Sequence, residues 1–370
     1  MLGYARMLEE GLRARGHHAE IIFPPTVFGL LPVGDGELAK WIRYIDKYLI
    51  APIWLRSRIR KADADIVHVC DHSNSIYLRC AGKKPSLITC HDLIAINGAR
   101  GIYPGVTVRW SGRVQQQWTE RGLARARYVI CDSCQTQSDF HARFPESAAE
   151  TRVVYVGLNR SFANASSDSI AAALAALGTP AATQYLLHVG NSGWYKNRLG
   201  AMQIFAALTK FPEFAEMKLI MAGRSWTADM HSFRKAAHLE DRVFEAIDVS
   251  DSTLNALYSG AQALIFPSLI EGFGWPVLEA QACGCPVITS DRAPMTEVAG
   301  IAAIFIDPAQ PERAAEVIRQ QWHRRPELRE LGFRNLERFT LEKMFDGLCA
   351  AYQEIAGTQV FDPAVQVNPG

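Results

Sequence analysis

The feature that most constrains this chain is a repeated alternation, in which short apolar, often β-branched runs are separated by stretches with helical spacing. In the first half the runs are Ala19-Glu-Ile-Ile-Phe, Ile66-Val-His-Val, Ser86-Leu-Ile-Thr, Tyr128-Val-Ile and Arg152-Val-Val-Tyr-Val. In the second they are Tyr185-Leu-Leu-His-Val, Lys218-Leu-Ile-Met-Ala, Val243-Phe-Glu-Ala, Ala263-Leu-Ile-Phe, Pro286-Val-Ile-Thr and Ala303-Ile-Phe-Ile. Strands that are apolar on both sides belong in parallel sheets covered by helices on both faces. Two doubly wound α/β domains are expected, one over residues 1–162 and one over 163–340. The linker lies in Gly157 to Gln184, with Ile170 to Leu177 as an Ala-rich helix inside it. Leu341, Met344, Phe345, Leu348, Tyr352 and Ile355 recur at helical spacing and predict a final helix over 341–357 with one apolar stripe. A Rossmann-like domain normally opens on a central strand and a Gly-rich turn, whereas Tyr4 to Arg15 already reads as helix. The first N-terminal strand is therefore expected to be missing, with about 15 to 25 residues lost upstream by the length of one strand and turn.

Composition narrows the function classes. The 370 residues carry 39 Lys+Arg against 38 Asp+Glu, a formal charge of +1, which excludes the overall basic footprint of a nucleic-acid binder. A charged fraction of 21% beside 48% hydrophobic residues excludes disorder as the main state. No apolar run approaches the roughly 18 residues of a spanning helix, and the start has no secretory pattern. The neutral total is a cancellation. Up to Arg160 there are 22 basic and 15 acidic residues (+7), and beyond it 17 and 23 (−6), so the halves face different partners or each other. Eight cysteines spread over a chain of this length read as free thiols in a reducing cytoplasm. Cys131-Asp-Ser-Cys134 has C-x-x-C spacing, but no second pair accompanies it and buried thiols are expected there.

The stretch richest in chemistry is Pro267-Ser-Leu-Ile-Glu271-Gly-Phe-Gly-Trp-Pro-Val-Leu-Glu279-Ala-Gln-Ala-Cys-Gly-Cys-Pro-Val-Ile-Thr-Ser-Asp291, directly after the run Ala263-Leu-Ile-Phe. Gly272 and Gly274 let backbone approach a ligand, and Pro276 suits the first position of a helix whose N-terminus points at the loop and makes an anion site. Glu271 in the loop and Glu279 in the first turn flank it, placed to accept hydrogen bonds from sugar hydroxyls. For Glu279 alone, simple complementarity to the helix dipole is the competing reading.

E-G-F-G-x-P-x-L-E-A, with two Glu eight positions apart, resembles the E-x7-E signature of glycosyltransferase family 4, retaining nucleotide-sugar glycosyltransferases of GT-B fold. The match covers most of the chain. Leu186-Leu-His-Val-Gly190-Asn-Ser-Gly-Trp-Tyr-Lys196-Asn197 resembles the strand and Gly-turn of the family's C-terminal domain. Leu219-Ile-Met-Ala-Gly-Arg224 and Val249-Ser-Asp-Ser-Thr-Leu-Asn-Ala-Leu-Tyr258 resemble its next segments, and Asp65-Ile-Val-His68, Thr89-Cys-His91-Asp92 and Ala126-Arg-Tyr-Val-Ile-Cys-Asp-Ser133 its N-domain strands. The resemblance implies that Glu271 holds donor-sugar hydroxyls with the backbone N–H groups of Phe273 and Gly274, that Glu279 binds the ribose, and that Lys196 neutralises the diphosphate. It implies that His91 reaches the donor sugar across the cleft; as a lone His after a strand it would otherwise read as structural. Gly190, Asn191, Arg224, Val249 and Trp275 complete the implied donor site. Asn191 and Tyr195 stand where many members carry Arg, and Trp275 where Leu is common. The final helix would cross back onto the N-domain.

The first half is read as the acceptor side. Residues 40–61 hold Lys40, Arg43, Lys47, Arg56, Arg58, Arg60 and Lys61 against Asp46 alone, interleaved with Trp41, Ile42, Ile45, Tyr48, Leu49 and Trp54. An amphipathic element lying on an anionic membrane and a core-packing stripe with a solvated basic face fit this pattern equally. Asp63-Ala-Asp65 matches the D-x-D metal motif of the other large glycosyltransferase fold, but it precedes a strand instead of following one, so no metal or other cofactor is expected. The expected activity is transfer of a hexosyl residue from a nucleotide sugar, weakly GDP-mannose over a UDP-hexose, to a glycan or lipid-linked acceptor in surface polysaccharide synthesis. The expected place is the cytoplasm, peripheral to the inner face of the membrane. The rival reading is a non-catalytic GT-B binding or scaffold protein that lost its N-terminal strand and loop; an epimerase or phosphorylase lacks its own signature here.

Overall fold

The computed structural model describes residues 2–28, 44–158, 162–180 and 182–357. The chain divides into two units, Met1–Tyr155 with Leu341–Gly370, and Val156–Thr340. The division falls earlier than residue 162, and the final helix is grouped with the first unit.

In the first unit the helix Leu2–Ala14 is followed by four parallel strands: β1 (Val67–Val69), β2 (Ser86–Cys90), β3 (Tyr128–Cys131) and β4 (Glu150–Val153), lying in that order. The residues that pack the centre, among them Ile88, Cys90, Val129 and Cys131, sit in the middle strands and meet Leu93, Ile96, Leu123 and Phe140 from the crossovers. Two strand expectations are corrected. Residues 19–23 are not a strand: the segment joins no ladder, and Ile21 N–H donates to the Glu9 carboxylate at 3.4 Å. Apolar alternation makes a segment fit a sheet, but a strand exists only where a neighbour offers hydrogen bonds. The last strand lies at Glu150–Val153 rather than from Arg152 onward, because its register against β3 runs from Tyr128↔Glu150 to Cys131↔Val153 and β3 ends there.

The final helix, Leu341–Ala356, buries Met344, Phe345, Leu348 and Tyr352 of the stripe read from the sequence, together with Ala351, while Leu341 is exposed and Ile355 half-buried. Its packing explains a glycine in the first helix. A Cβ at Gly11 would stand 1.9 Å from the Phe345 ring, so only a residue without a side chain lets the two helices close. Tyr352 Oη lies 2.7 Å from His68 Nδ1, and Arg152 bonds Glu354 at 2.6 Å, tying the helix to β1 and β4.

The second unit holds all six predicted strands: β5 (Tyr185–Gly190), β6 (Lys218–Gly223), β7 (Val243–Ile247), β8 (Ala263–Phe266), β9 (Val287–Ser290) and β10 (Ala303–Ile306). All pair in parallel, in the order β10-β9-β8-β5-β6-β7. The chain winds outward from β5 through β6 to β7 and then returns to the other side of β5 with β8, so the winding reverses between β5 and β8. Ligands of open α/β sheets bind outside the carboxyl ends of the strands at such a reversal. The Ala-rich helix spans Ser167–Ala176, started by the Ser166 side chain, which accepts from Ser169 N–H.

Candidate functional site

The site of the second unit is assembled by the two loops at the reversal. β5 ends at Gly190, and the turn that follows is shaped by Asn191, whose Oδ1 accepts from Gly193 N–H at 2.9 Å. Asn191 thus builds the turn. The chain makes one tight turn at Trp194–Lys196, passes through left-handed Asn197 (φ 50°) and enters the helix Arg198–Leu208. Asn197 donates to the carbonyls of Pro267 (3.0 Å) and Pro308 (3.2 Å), while Leu269 N–H donates to the Tyr195 carbonyl at 2.7 Å. The loop after β5 is therefore stitched to the loop after β8.

That stitching brings together two residues far apart in the chain. Lys196 Nζ donates to both oxygens of Glu271, at 2.7 and 2.9 Å, with the two side chains only 13% and 7% exposed. The ammonium also lies 5.1 Å from the centre of the Phe266 ring at the end of β8. A buried ion pair gives little net stability because both charges lose water. Each partner nevertheless has chemistry of its own to offer: a cation for phosphate oxygens and a carboxylate for hydroxyls.

The helix after the loop starts one residue earlier than expected. Gly274 caps it with φ 114°, Trp275 takes the first position and Pro276 the second, which moves Glu279 from the first turn into the second. Glycine is required at 274 by that φ, and a Cβ there would meet Met295 at 2.3 Å. Phe273 is buried between Trp275 and Phe339, at ring separations of 6.4 and 5.8 Å. Glu279 is buried and accepts a 2.9 Å hydrogen bond from the Tyr258 hydroxyl. Burial and the Glu279 charge hold that phenol well above its ordinary pKa, so it stays a donor. Tyr258 was not recognised as a site residue from its sequence position, at the end of the helix Asp251–Gly260.

Arg224 and Val249 stand just past the carboxyl ends of β6 and β7. Arg224 bonds Asp248 at 3.1 Å, with both side chains more than half exposed. Its loop is held from beneath by Arg198, a buried guanidinium that donates to the carbonyls of Arg224 (2.5 Å) and Ser225 (3.3 Å). Nothing in the sequence separates an Arg buried at a helix start from a solvent-facing one. Gly223, at φ 146°, lets this loop approach β5: a Cβ there would stand 2.0 Å from the Gly190 carbonyl oxygen.

His91 follows β2 in the first unit. Its Nδ1 lies 2.5 Å from Asp132 Oδ2, and its Nε2 3.0 Å from the Cys70 carbonyl, with the His side chain 16% exposed. Both partners are acceptors, so both ring nitrogens carry protons. Burial pulls the pKa down, but the Asp132 charge and hydrogen bond, with the Cys70 carbonyl, outweigh it and raise the pKa to about 9. Tyr4 meets the ring edge-on at 5.0 Å. The sequence reading had this ring turned toward a donor sugar, whereas both its nitrogens are engaged within the first unit.

The basic segment resolves into separate parts. Asp46, its one acid, is buried and accepts from Val27 and Phe28 N–H at 3.2 and 3.0 Å. Lys47 is not on an open face: it is partly buried, donates to the Ser73 carbonyl at 3.3 Å, and burial lowers its pKa. Arg58 is paired with Glu20, while Arg56 and Arg60 are exposed. Ile45, Leu49, Ile53 and Trp54 expose 40, 60, 72 and 37% of their surface. Trp41 and Arg43 lie outside the described residues. Asp63 and Asp65 sit between the helix Ala51–Lys61 and β1, and among the described residues no group of three or more His, Cys, Asp or Glu is placed to hold a metal. Cys131 is buried, but Cys134 is exposed at the start of the helix Cys134–Arg143, which corrects the expectation of two buried thiols. No helix of the described residues is long and apolar enough to cross a membrane.

Two family models match the chain. Glycosyltransferase Family 4 covers residues 3–162, and Glycosyl transferases group 1 covers 171–335. The chain is 34% identical over 128 residues to O-antigen chain mannosyltransferase B of Escherichia coli, covering 34% of this chain and 33% of that one. It is 34% identical over 125 residues to the O-antigen chain mannosyltransferase RfbU of Salmonella typhimurium, covering 34% of each. The match thus spans about a third of the length of these curated relatives. Among solved structures, the sucrose-phosphate synthase of Thermosynechococcus elongatus superposes with a TM-score of 0.66 at 23% identity, over 83% of this chain and 78% of that one. Anabaena Alr3699/HepE in complex with UDP and glucose gives 0.65 at 16% identity, over 93% and 88%. The two matched segments, the two parallel sheets and these GT-B neighbours agree: the chain belongs to glycosyltransferase family 4.

Proposed function

We propose that the chain transfers a hexosyl residue, mannose before glucose, from a nucleoside-diphosphate sugar to a hydroxyl of a glycan or lipid-linked acceptor, in polysaccharide assembly. The observation that carries this reading is the Lys196–Glu271 pair at the β5/β8 reversal. The two charges satisfy each other. A diphosphate offers Lys196 two anionic groups in place of one carboxylate, and its arrival releases Glu271 to accept sugar hydroxyls. As the glycosidic bond breaks, charge grows on the departing diphosphate and Lys196 stabilises it where it develops. Among the described residues we assign no enzymic nucleophile or base, and transfer with retention has the leaving phosphate take the acceptor proton. No step of this scheme calls on a metal.

The mannosyl preference rests on the two enterobacterial relatives, both O-antigen chain mannosyltransferases. The UDP and glucose bound to HepE keep UDP-hexoses in the test. For the acceptor side, the exposed Ile45, Leu49, Ile53 and Trp54 beside the exposed Arg56 and Arg60 favour a lipid-linked acceptor presented at an anionic membrane surface. The experiment is calorimetric binding of GDP-mannose, UDP-glucose, GDP and UDP, followed by transfer assays with and without chelator. Binding and chelator-resistant transfer from GDP-mannose are the expected results. Binding of none of the four refutes the reading, transfer from UDP-glucose alone refutes the mannosyl preference, and loss of transfer on chelation refutes the metal-free scheme.

A further inference from the structure

His188 is in the middle of β5, completely buried, two residues before Gly190. Its Nδ1 lies 2.9 Å from the Ile265 carbonyl of β8. A carbonyl can only accept, so Nδ1 carries the proton and Nε2 presents a lone pair. That Nε2 is buried and has no hydrogen-bond partner. Buried polar atoms are almost always paired, and an orphan calls for an explanation. Burial, with the nearby cations of Arg198 and Lys196, pulls the ring's pKa down to about 4 against the opposing bond to Ile265, so near neutrality the lone pair remains available.

The position of this lone pair is specific. Side chains two apart on a strand share a face, and the space a side chain at Gly190 would occupy lies in front of Nε2. A Cβ there would be 3.1 Å from His188 Nε2 and 3.4 and 3.6 Å from Cβ and Cγ of Lys196. Gly190 has no positive φ that would demand glycine. Glycine at 190 keeps a side chain out of this space, which lies between a hydrogen-bond acceptor on one side and the stem of the site's cation on the other.

We infer that His188 is a further positioning residue of the donor site: in the gap over Gly190, its Nε2 accepts a hydrogen bond from an O–H group, either a ligand hydroxyl or a water that turns its second proton to the diphosphate. This rests on the donor site proposed above. A lone pair beside a diphosphate would repel it directly, whereas an intervening O–H joins the two acceptors. The bond to Ile265 fixes which nitrogen faces the ligand, so the ring orients that O–H without itself exchanging a proton.

The test uses the full chain with GDP and GDP-mannose, and UDP and UDP-glucose beside them. Nitrogen-15 spectra of the imidazole should show an Nδ1–H tautomer, with the Nε2 resonance shifting when a nucleotide binds. His188→Phe keeps a flat ring and removes the lone pair, and it should weaken nucleotide binding about five- to tenfold, the scale of one hydrogen bond. Gly190→Ala fills the gap and should weaken binding at least as much while the Nδ1–H resonance stays in place. A crystal structure of the complex separates the sources, with either a ligand hydroxyl or a water within hydrogen-bonding distance of Nε2. Binding unchanged in both variants, or an Nε2 resonance indifferent to ligand, overturns this inference alone. Absence of binding by the unaltered chain overturns it together with the donor site. Should His188→Phe fail to fold, Gly190→Ala and the wild-type spectrum still decide.

Discussion

The two sheets each carry a buried charge pair just past the carboxyl ends of their strands, and the pairs are built differently. In the second unit, Lys196 and Glu271 hold each other's charge, across two loops joined by Asn197 and Leu269. In the first unit, His91 is held by the Asp132 carboxylate on one side and the Cys70 backbone carbonyl on the other. A pair of side chains can open and give both charges to a ligand. A ring fixed by a main-chain carbonyl cannot turn away without leaving that carbonyl unbonded. The first arrangement is suited to exchange and the second to holding a shape.

The largest effect expected from breaking this contrast is at Lys196. In Lys196→Ala the Glu271 carboxylate stays buried without its cation, a change of about 3 to 5 kcal/mol in stability for a buried pair, and transfer should fall by about 10² to 10³ as a charge stabiliser is lost. The double variant Lys196→Ala with Glu271→Gln separates the two. Stability should return, since no lone charge is left inside, while transfer stays lost. Thermal unfolding and transfer assays on the three proteins check this. A double variant that regains transfer would mean the pair is only structural.

Much of the fold was legible, for a physical reason visible in the strands themselves. The six strands of the second unit are covered on both faces, so almost every residue is apolar and the run declares itself. Residues 19–23 carry the same chemistry but have no ladder, and nothing local in the sequence reports a missing neighbour. The same limit applied to the site. Glu271 and Glu279 were readable from the residue types around a Gly-rich turn, and Lys196 from the family resemblance, yet the pairing of Lys196 with Glu271 spans 75 positions and depends on how two loops are stitched. His188 and Arg198 lie in contexts that read as core and as helix surface. Their roles depend on what faces them, which no spacing encodes.

A middle-sized effect is expected at Asp132. The folded protein holds His91 at about 9, above its ordinary 6.5. A raised pKa of this kind means the charged ring stabilises the fold fully below pH 6.5, and that contribution disappears as the pH rises through 9. Its size is of order 2 kcal/mol, allowing for partial access to solvent. In Asp132→Asn the ring should titrate lower, and the fall in melting temperature between pH 6 and 9.5 should shrink. Imidazole NMR titration and melting curves read both. A His91 that titrates near 6.5 in the unaltered chain would remove the distinction between a locked ring and an exchangeable pair.

The smallest effect sharpens the comparison inside the second unit. Glu279 resembles Glu271 in burial, but its visible partner is a neutral phenol, not a cation. Tyr258→Phe removes one hydrogen bond to a carboxylate and should cost about 1.5 kcal/mol, without the unpaired charge that Lys196→Ala leaves behind. If Glu279 takes ribose hydroxyls, the Tyr258 hydroxyl fixes which carboxylate oxygen faces the ligand. Nucleotide affinity should then fall a few-fold in Tyr258→Phe, with little change in the rate at saturating donor. Glu279→Gln should weaken affinity further, since the amide offers a single acceptor oxygen where the carboxylate offers two. Equal affinity in all three proteins would return Glu279 to a charge that merely complements the positive end of its helix.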